Sequence, residues 1–295
     1  MMNKETFANE VLELLKKELG CGYQVDVKTV VKNNNLVLTG LIIRKCNNAM
    51  GVTLYLDEYY RDYKHGRPME NVVEHIVYSY SQATVKEDFN LQFLESKDEF
   101  LKRVAYRIIN RDMNTDFLSQ CPHTNVAGDL EKMYFVHVNC DKEGFGSVSI
   151  THSLMERFDV SMEELEYHAG VNTPQFFPVE FCSMADVLKG FFGECEELTS
   201  GLGMWILSNN TKTYGASTLL YEGILKQISG TLNSDLYIIP SSVHELIILR
   251  ATEDCDKLEL GMMIREVNQT EVRQEERLSD TLYFFNMTTN QLSVA

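Results

Sequence analysis

The chain is poor in residues that break or disorder a polypeptide. Only 5 prolines and 17 glycines occur among 295 residues, and no Ser, Gln, Pro or Gly tract interrupts them, which excludes a low-complexity linker. No stretch reaches the ~20 consecutive apolar residues of a membrane-spanning helix. Met1 to Gly20 reads as an amphipathic helix bearing Glu5, Glu10, Glu13, Lys16 and Lys17, without the apolar run of a secretory signal. Basic residues are scarce: 27 Lys and Arg face 43 Asp and Glu, a formal net charge of -16. Such a surface repels polyphosphate, so nucleic-acid binding is disfavoured. The 7 cysteines are odd in number, irregularly spaced and contain no CxxC pair. That spacing excludes a zinc ribbon or a thioredoxin-like site and fits reduced thiols in a cytoplasmic protein.

What is present is a patterned apolar chain. At 44% apolar residues it can bury roughly three quarters of its unfolded surface without metals or disulfides. Phe7, Val11, Leu14, Leu15 and Leu19 recur at helical spacing up to Gly20. Two β-rich runs, Tyr23 to Lys32 and Leu36 to Arg44, flank Asn33-Asn34-Asn35 as a hairpin does. Val52 to Leu56 predicts a strand, and two helices follow, the second opened by Pro68. A short helix and a strand at Val104 to Ile109 precede a polar, irregular stretch, Asn110 to Val126, which is the best boundary between regions 1–125 and 126–295. Beyond it, Met133 to Val138 pairs with Ser147 to Ile150 across a loop, and Ser161 starts a helix to about Ala169. A strand at Met204 to Leu207, a helix over Ala216 to Leu232, and strands at Leu236 to Ile239 and Val243 to Leu249 follow. A last helix, Leu258 to Val267, leads to a terminal hairpin. Antiparallel or mixed sheets with packed helices, an α+β fold in two sub-domains or one compact unit, is the expectation.

The most site-like segment is Pro240-Ser241-Ser242-Val243-His244-Glu245. Two hydroxyls, an imidazole and a carboxylate invite a hydrolase reading, with His244 as base, Ser241 or Ser242 as nucleophile, or Glu245 as acid/base. On a strand, however, Ser242 and His244 would stand about 6.6 to 6.8 Å apart, awkward for a direct hydrogen bond, with Glu245 on the opposite face. The G-x-S-x-G elbow is absent. The plainer reading makes Pro240 and the serines a turn and gives His244 a local hydrogen bond. No second His follows at metal-ligand spacing, and no metal or cofactor is called for; a convergence of His137, His152 and His244 on neighbouring strands is weaker still.

Three weaker signals complete the inventory. Asn209-Asn210-Thr211-Lys212 leads into Gly215-Ala216 between a strand and a helix, where Asn209, Lys212 and Gly215 could receive an anion or simply form a capped polar loop. Gly201-Leu202-Gly203 precedes its strand, the wrong order for a dinucleotide fingerprint. The acidic runs Glu163-Glu164-Leu165-Glu166 and Glu194-Cys195-Glu196-Glu197 read as a helix first turn and a solvated surface. Tyr59, Tyr60 and Tyr63 crowd one helix and offer either an interaction surface or half-buried packing.

The succession Lys32-Asn33-Asn34 to Leu38-Thr39-Gly40-Leu41, Asn172-Thr173-Pro174-Gln175-Phe176-Phe177-Pro178, Leu207-Ser208-Asn209 with Tyr214-Gly215-Ala216, Ile239 to Glu245, and Glu266-Val267-Asn268 resembles a bacterial family of unknown function. Its members are encoded by anaerobic clostridia and their relatives. The resemblance covers nearly the whole chain and implies an intracellular bacterial protein, with mobile-element carriage among its settings, but no activity. Val52 and Arg250 stand where the family pattern has proline. Together these readings favour a cytoplasmic, non-enzymatic binding or regulatory protein. Its partner would be a protein or a small molecule, met through a groove near Pro240 to Glu245. The hydrolase and a mobile-element defence or counter-defence factor are the alternatives.

Overall fold

The computed structural model describes residues 2–47, 51–83, 94–141, 144–192, 203–252 and 255–295. The chain divides into two compact units, Met1–Phe89 and Asn90–Ala295. The divide therefore falls after residue 89; the boundary expected at 125 lies inside a strand of the second unit, His123–Ala127. The fold is α+β, as the sequence pattern indicates.

The first unit begins with helix α1 (Lys4–Leu19), whose N-terminus is capped by Asn3 accepting the Thr6 N–H at 2.8 Å. Strands β1 (Tyr23–Val31), β2 (Val37–Lys45) and β3 (Val52–Tyr55) form an antiparallel sheet in that order. The β1–β2 hairpin turns through Asn34 and Asn35 at φ 60° and 52°, left-handed conformations that Asn tolerates. Helices α2 (Leu56–Lys64) and α3 (Met69–Gln82) complete the unit. Its core joins Phe7, Val11 and Leu15 to Leu41, Ile43 and Ile76, all without exposed surface. Asp57 ties three elements, taking Lys4 Nζ at 2.5 Å and the Thr39 N–H at 2.8 Å.

The second unit opens with α4 (Lys97–Leu101) and β4 (Val104–Asn110), followed by α5 (Thr115–Leu118) and β5 (His123–Ala127). Strand β6 (Leu130–Asp141) pairs with β4 on one side and with β5 and β7 (Gly144–Ser149) on the other. Helices α6 (His152–Phe158) and α7 (Met162–Phe176) follow, the latter started by a Ser161–Glu164 capping box. Helix α7 runs past the expected end at Ala169 and through Pro174; the carbonyl that the proline leaves without a donor belongs to Gly170, which is exposed and can be hydrated.

The segment after α7 adds β8 (Val179–Ser183), α8 (Met184–Phe192) and β9 (Met204–Asn209). A 3-10 turn, Gly215–Leu220, is separated from α9 (Ile224–Leu232) by Gly223 at φ 74°, so the single helix expected over 216–232 is two elements. Strands β10 (Leu236–Ser242) and β11 (Glu245–Arg250), helix α10 (Lys257–Thr270), and strands β12 (Tyr283–Asn286) and β13 (Gln291–Val294) complete the chain. The antiparallel six-stranded sheet runs β13-β12-β10-β11-β9-β8. Its link to the four-stranded sheet is polar. Asp129, in the β5–β6 turn, accepts from Asn110 Nδ2 at 2.7 Å, from Ser279 Oγ at 2.8 Å and from the Tyr283 hydroxyl. The outer edge of β4 is closed by hydroxyls: Thr173 Oγ1 takes the Tyr106 N–H at 3.0 Å and Ser217 Oγ takes the Ile108 N–H at 3.2 Å.

Candidate functional site

His244 lies in a turn, not on a strand. Ser242 pairs with Glu245, so Val243 and His244 form the two-residue tip of the β10–β11 hairpin, after a bulge between Ile239 and Ser242. The tip is fixed from two sides: the Val243 N–H donates to Glu276 O at 2.8 Å, and Val243 O accepts the Ala216 N–H at 3.3 Å. The Ser242 hydroxyl accepts the His244 backbone N–H at 3.1 Å, and no hydrogen bond joins the imidazole to Ser241 or Ser242. His244 Nδ1 instead accepts the Tyr214 N–H at 3.3 Å, and its Nε2 lies 3.8 Å from Glu276 Oε1. Glu276 in turn pairs with Arg273. Neither ring nitrogen is thus hydrogen-bonded to a serine hydroxyl, the contact a nucleophile–base pair requires.

The loop read as an anion receiver is built around the same residues. Asn209 Oδ1 accepts the N–H groups of Thr211 and Thr213 at 3.1 and 3.3 Å, while its Nδ2 donates to Thr213 O at 2.8 Å. The Lys212 N–H goes to Asn209 O at 3.1 Å, and its ammonium pairs with Glu180 at 2.5 Å. The backbone donors thus turn inward, away from any anion. Gly215 is required by crowding: a Cβ there would stand 2.1 Å from Ser208 Oγ and 2.3 Å from His244 O. The Ser208 hydroxyl donates to that same carbonyl at 2.8 Å. Candidates from two separate stretches, Asn209 with Gly215 and Ser242 with His244, therefore belong to one junction. Its outer layer is aromatic and cationic. Tyr214 stacks on His244 at 6.0 Å, and the Arg107 guanidinium lies 4.7 Å from the Tyr214 centroid and donates to its hydroxyl at 2.7 Å.

The remaining candidates also take structural places. Tyr59, Tyr60 and Tyr63 are half-buried and pack on the first unit's core, Tyr60 and Tyr63 against Phe7 at 5.2 and 5.3 Å. His137 packs beside Phe176 and Phe177, and burial lowers its pKa. Among the described residues no group of His, Cys, Asp or Glu has the arrangement of a metal site. Gly201, Leu202 and residues 194–197 lie outside the described residues.

The site that the sequence does not announce is a cleft of about 710 Å³ in the second unit. Its walls come from β5 and β6 on one side, the 3-10 turn and the start of α9 on another, and the β12–β13 hairpin on a third. Tyr221, Leu225, Phe285 and Leu219, each less than 9% exposed, supply apolar walls, and Asn286, Asn290 and Gln291 supply amides. Behind one wall, Glu166 accepts from Thr124 Oγ1 at 2.8 Å, from the Tyr134 hydroxyl and from the Lys132 ammonium. Burial pushes the Glu166 carboxyl up, but these three hydrogen bonds outweigh it and hold the carboxyl below its ordinary range. Glu166 thus departs from the first-turn role expected for residues 163–166; the acidic residues of the first turn are Glu163 and Glu164. Burial, followed by the bond to Glu166, raises the Tyr134 phenol far above its usual pKa. No local spacing could reveal this group, because Thr124, Lys132 and Glu166 meet only through the sheet and α7.

An α+β chain with a hydrogen-bonded hairpin junction and a separate open cleft is the class that fold and geometry define. The chain belongs to the family of unknown function DUF5688, which matches residues 4–287. No curated protein and no solved structure matches it. No helix among the described residues is long and apolar enough to cross a membrane.

Proposed function

We propose that the second unit is a binding module whose ligand occupies the cleft between β5, the start of α9 and the β12–β13 hairpin. The observation that carries this reading is the cleft itself. Its volume lies within the roughly 300–1,000 Å³ common to ligand sites, and its lining mixes the apolar side chains of Leu219, Tyr221, Leu225 and Phe285 with amide, hydroxyl and ammonium groups in comparable measure. The groove expected near Pro240 to Glu245 draws less support, since the backbone of the hairpin tip and His244 Nδ1 are hydrogen-bonded within the chain. The hydrolase alternative draws no support from an imidazole whose Nδ1 already accepts a backbone N–H. A bacterial cytoplasmic setting, with the clostridial and mobile-element company implied by the resemblance, belongs to this proposal. It is supported by the absence of disulfides among the described cysteines, Cys21, Cys46, Cys121, Cys182 and Cys255.

Native mass spectrometry of the full chain, purified gently from its own cytoplasm, tests the reading. A retained small molecule is expected in the unmodified protein and lost in Leu292→Trp, which enlarges a half-buried, cleft-lining side chain of β13 that pairs with Phe285. Retention that is indifferent to this substitution would place the ligand elsewhere.

A further inference from the structure

Tyr59, Tyr60 and Tyr63 are spent on the first unit's core, but the same unit exposes a different tyrosine. Tyr78 on α3 is 63% exposed, and its hydroxyl makes no hydrogen bond among the described residues. It lines a groove of about 540 Å³ between α1 and α3. The α3 wall is Glu70, Val73, Glu74, Val77, Tyr78 and Ser81, the three- and four-residue spacing of one helix face. Leu14, Lys17 and Glu18 of α1 form the other wall. Val73 is buried, and Leu14 and Val77 are half-buried against the core, so the floor is apolar.

The rim is acidic. Glu18, Glu70 and Glu74 stand against Lys17 alone, and all four are exposed. The charges within one turn of this lining do not offset the excess. Lys16 is paired with Glu13 and Arg67 with Asp62, the His75 ring is hydrogen-bonded to Arg67, and Glu10 adds a further carboxylate. Glu70, in the first turn of α3, is partly offset by the positive end of that helix. Glu18 has the opposite placement, at the carbonyl end of α1, where a carboxylate is disfavoured unless a cation approaches. From Glu70 to Ser81 the wall runs about 16 Å, three turns of helix, and the furrow between two helices is the seat of a third. We infer that this groove docks a basic amphipathic helix of a partner protein. The apolar stripe of that helix lies on Leu14, Val77 and Tyr78, and its Lys or Arg side chains reach Glu18 and Glu74. A second copy of the chain is a poor occupant, because an isologous contact would set this acidic rim against itself.

Fluorescence anisotropy of labelled peptides of about four helical turns, titrated with the full chain at physiological salt, tests the inference. Three are compared: an amphipathic leucine–lysine helix, the same composition scrambled so that no apolar stripe forms, and a leucine–glutamate helix. The leucine–lysine helix should bind, the scrambled peptide about tenfold or more weakly, and the leucine–glutamate helix not at all. Tyr78→Ala, at an exposed position, should weaken binding about tenfold at unchanged melting temperature. Glu18→Lys combined with Glu74→Lys should weaken it by about tenfold or more. Glu259→Lys combined with Glu266→Lys, the same charge change on exposed positions of α10 outside the groove, should leave it within about twofold. Equal loss in the two charge pairs, or equal binding of the scrambled peptide, would reduce the attraction to bulk charge and overturn the docking site. Binding indifferent to Tyr78→Ala, or no binding of the leucine–lysine helix, would overturn it as well.

Discussion

Gly215 and His244 show how single positions are constrained at the hairpin junction. A methyl group at 215 would have to displace Ser208 Oγ and a backbone carbonyl, of which only the first can rotate away. Gly215→Ala should therefore lower the unfolding free energy by about 2 kcal/mol or more, read from the urea midpoint at unchanged m-value. His244→Ala leaves the Tyr214 N–H without its acceptor and unstacks its ring, a loss of about 1–3 kcal/mol. A catalytic base would instead be replaceable with little effect on stability, so the melting temperature of this variant discriminates between the roles. Glu166 gives a pH prediction. Its folded-state pKa is depressed, so its contribution to stability is fully present above the ordinary carboxylate range and is lost as pH falls through the lower, folded value. Chemical denaturation between pH 7 and acid should show a decline that is blunted in Glu166→Gln.

At the scale of elements, Asp129 is the tie between the two sheets of the second unit. Asp129→Ala would strand Asn110, Ser279 and Tyr283 donors together and should cost about 3 kcal/mol in equilibrium unfolding. Elements with strong local signals were legible from sequence. The period of Phe7, Val11 and Leu15 and the left-handed tolerance of Asn34 and Asn35 suffice for α1 and the β1–β2 hairpin. Strand β8 and helix α8 carry no such signal. Gly223 breaks a helix that apolar periodicity alone would continue, and Pro174 sits inside a helix where its local rule predicts an end. The turn at Val243-His244 is likewise set by distant partners, Glu276 and Ala216, rather than by turn-forming residues.

At the scale of the whole molecule, the legible part is the α+β fold class. The cleft was not legible, because its walls come from segments around residues 124, 132, 221, 226, 285 and 292 that only the tertiary fold assembles. The polar residues that draw attention in sequence, Ser242, His244 and Asn209, do so because a junction packed with backbone groups needs short side-chain donors and acceptors. Amide proton–nitrogen correlation spectra of the full chain, titrated with the small-molecule extract of its own cells, test most directly whether the cleft rather than this junction is the binding site. Shifts concentrated at Leu225, Lys226 and Gln291 to Ser293 are the predicted result; shifts centred on Tyr214, His244 and Glu276 would contradict it.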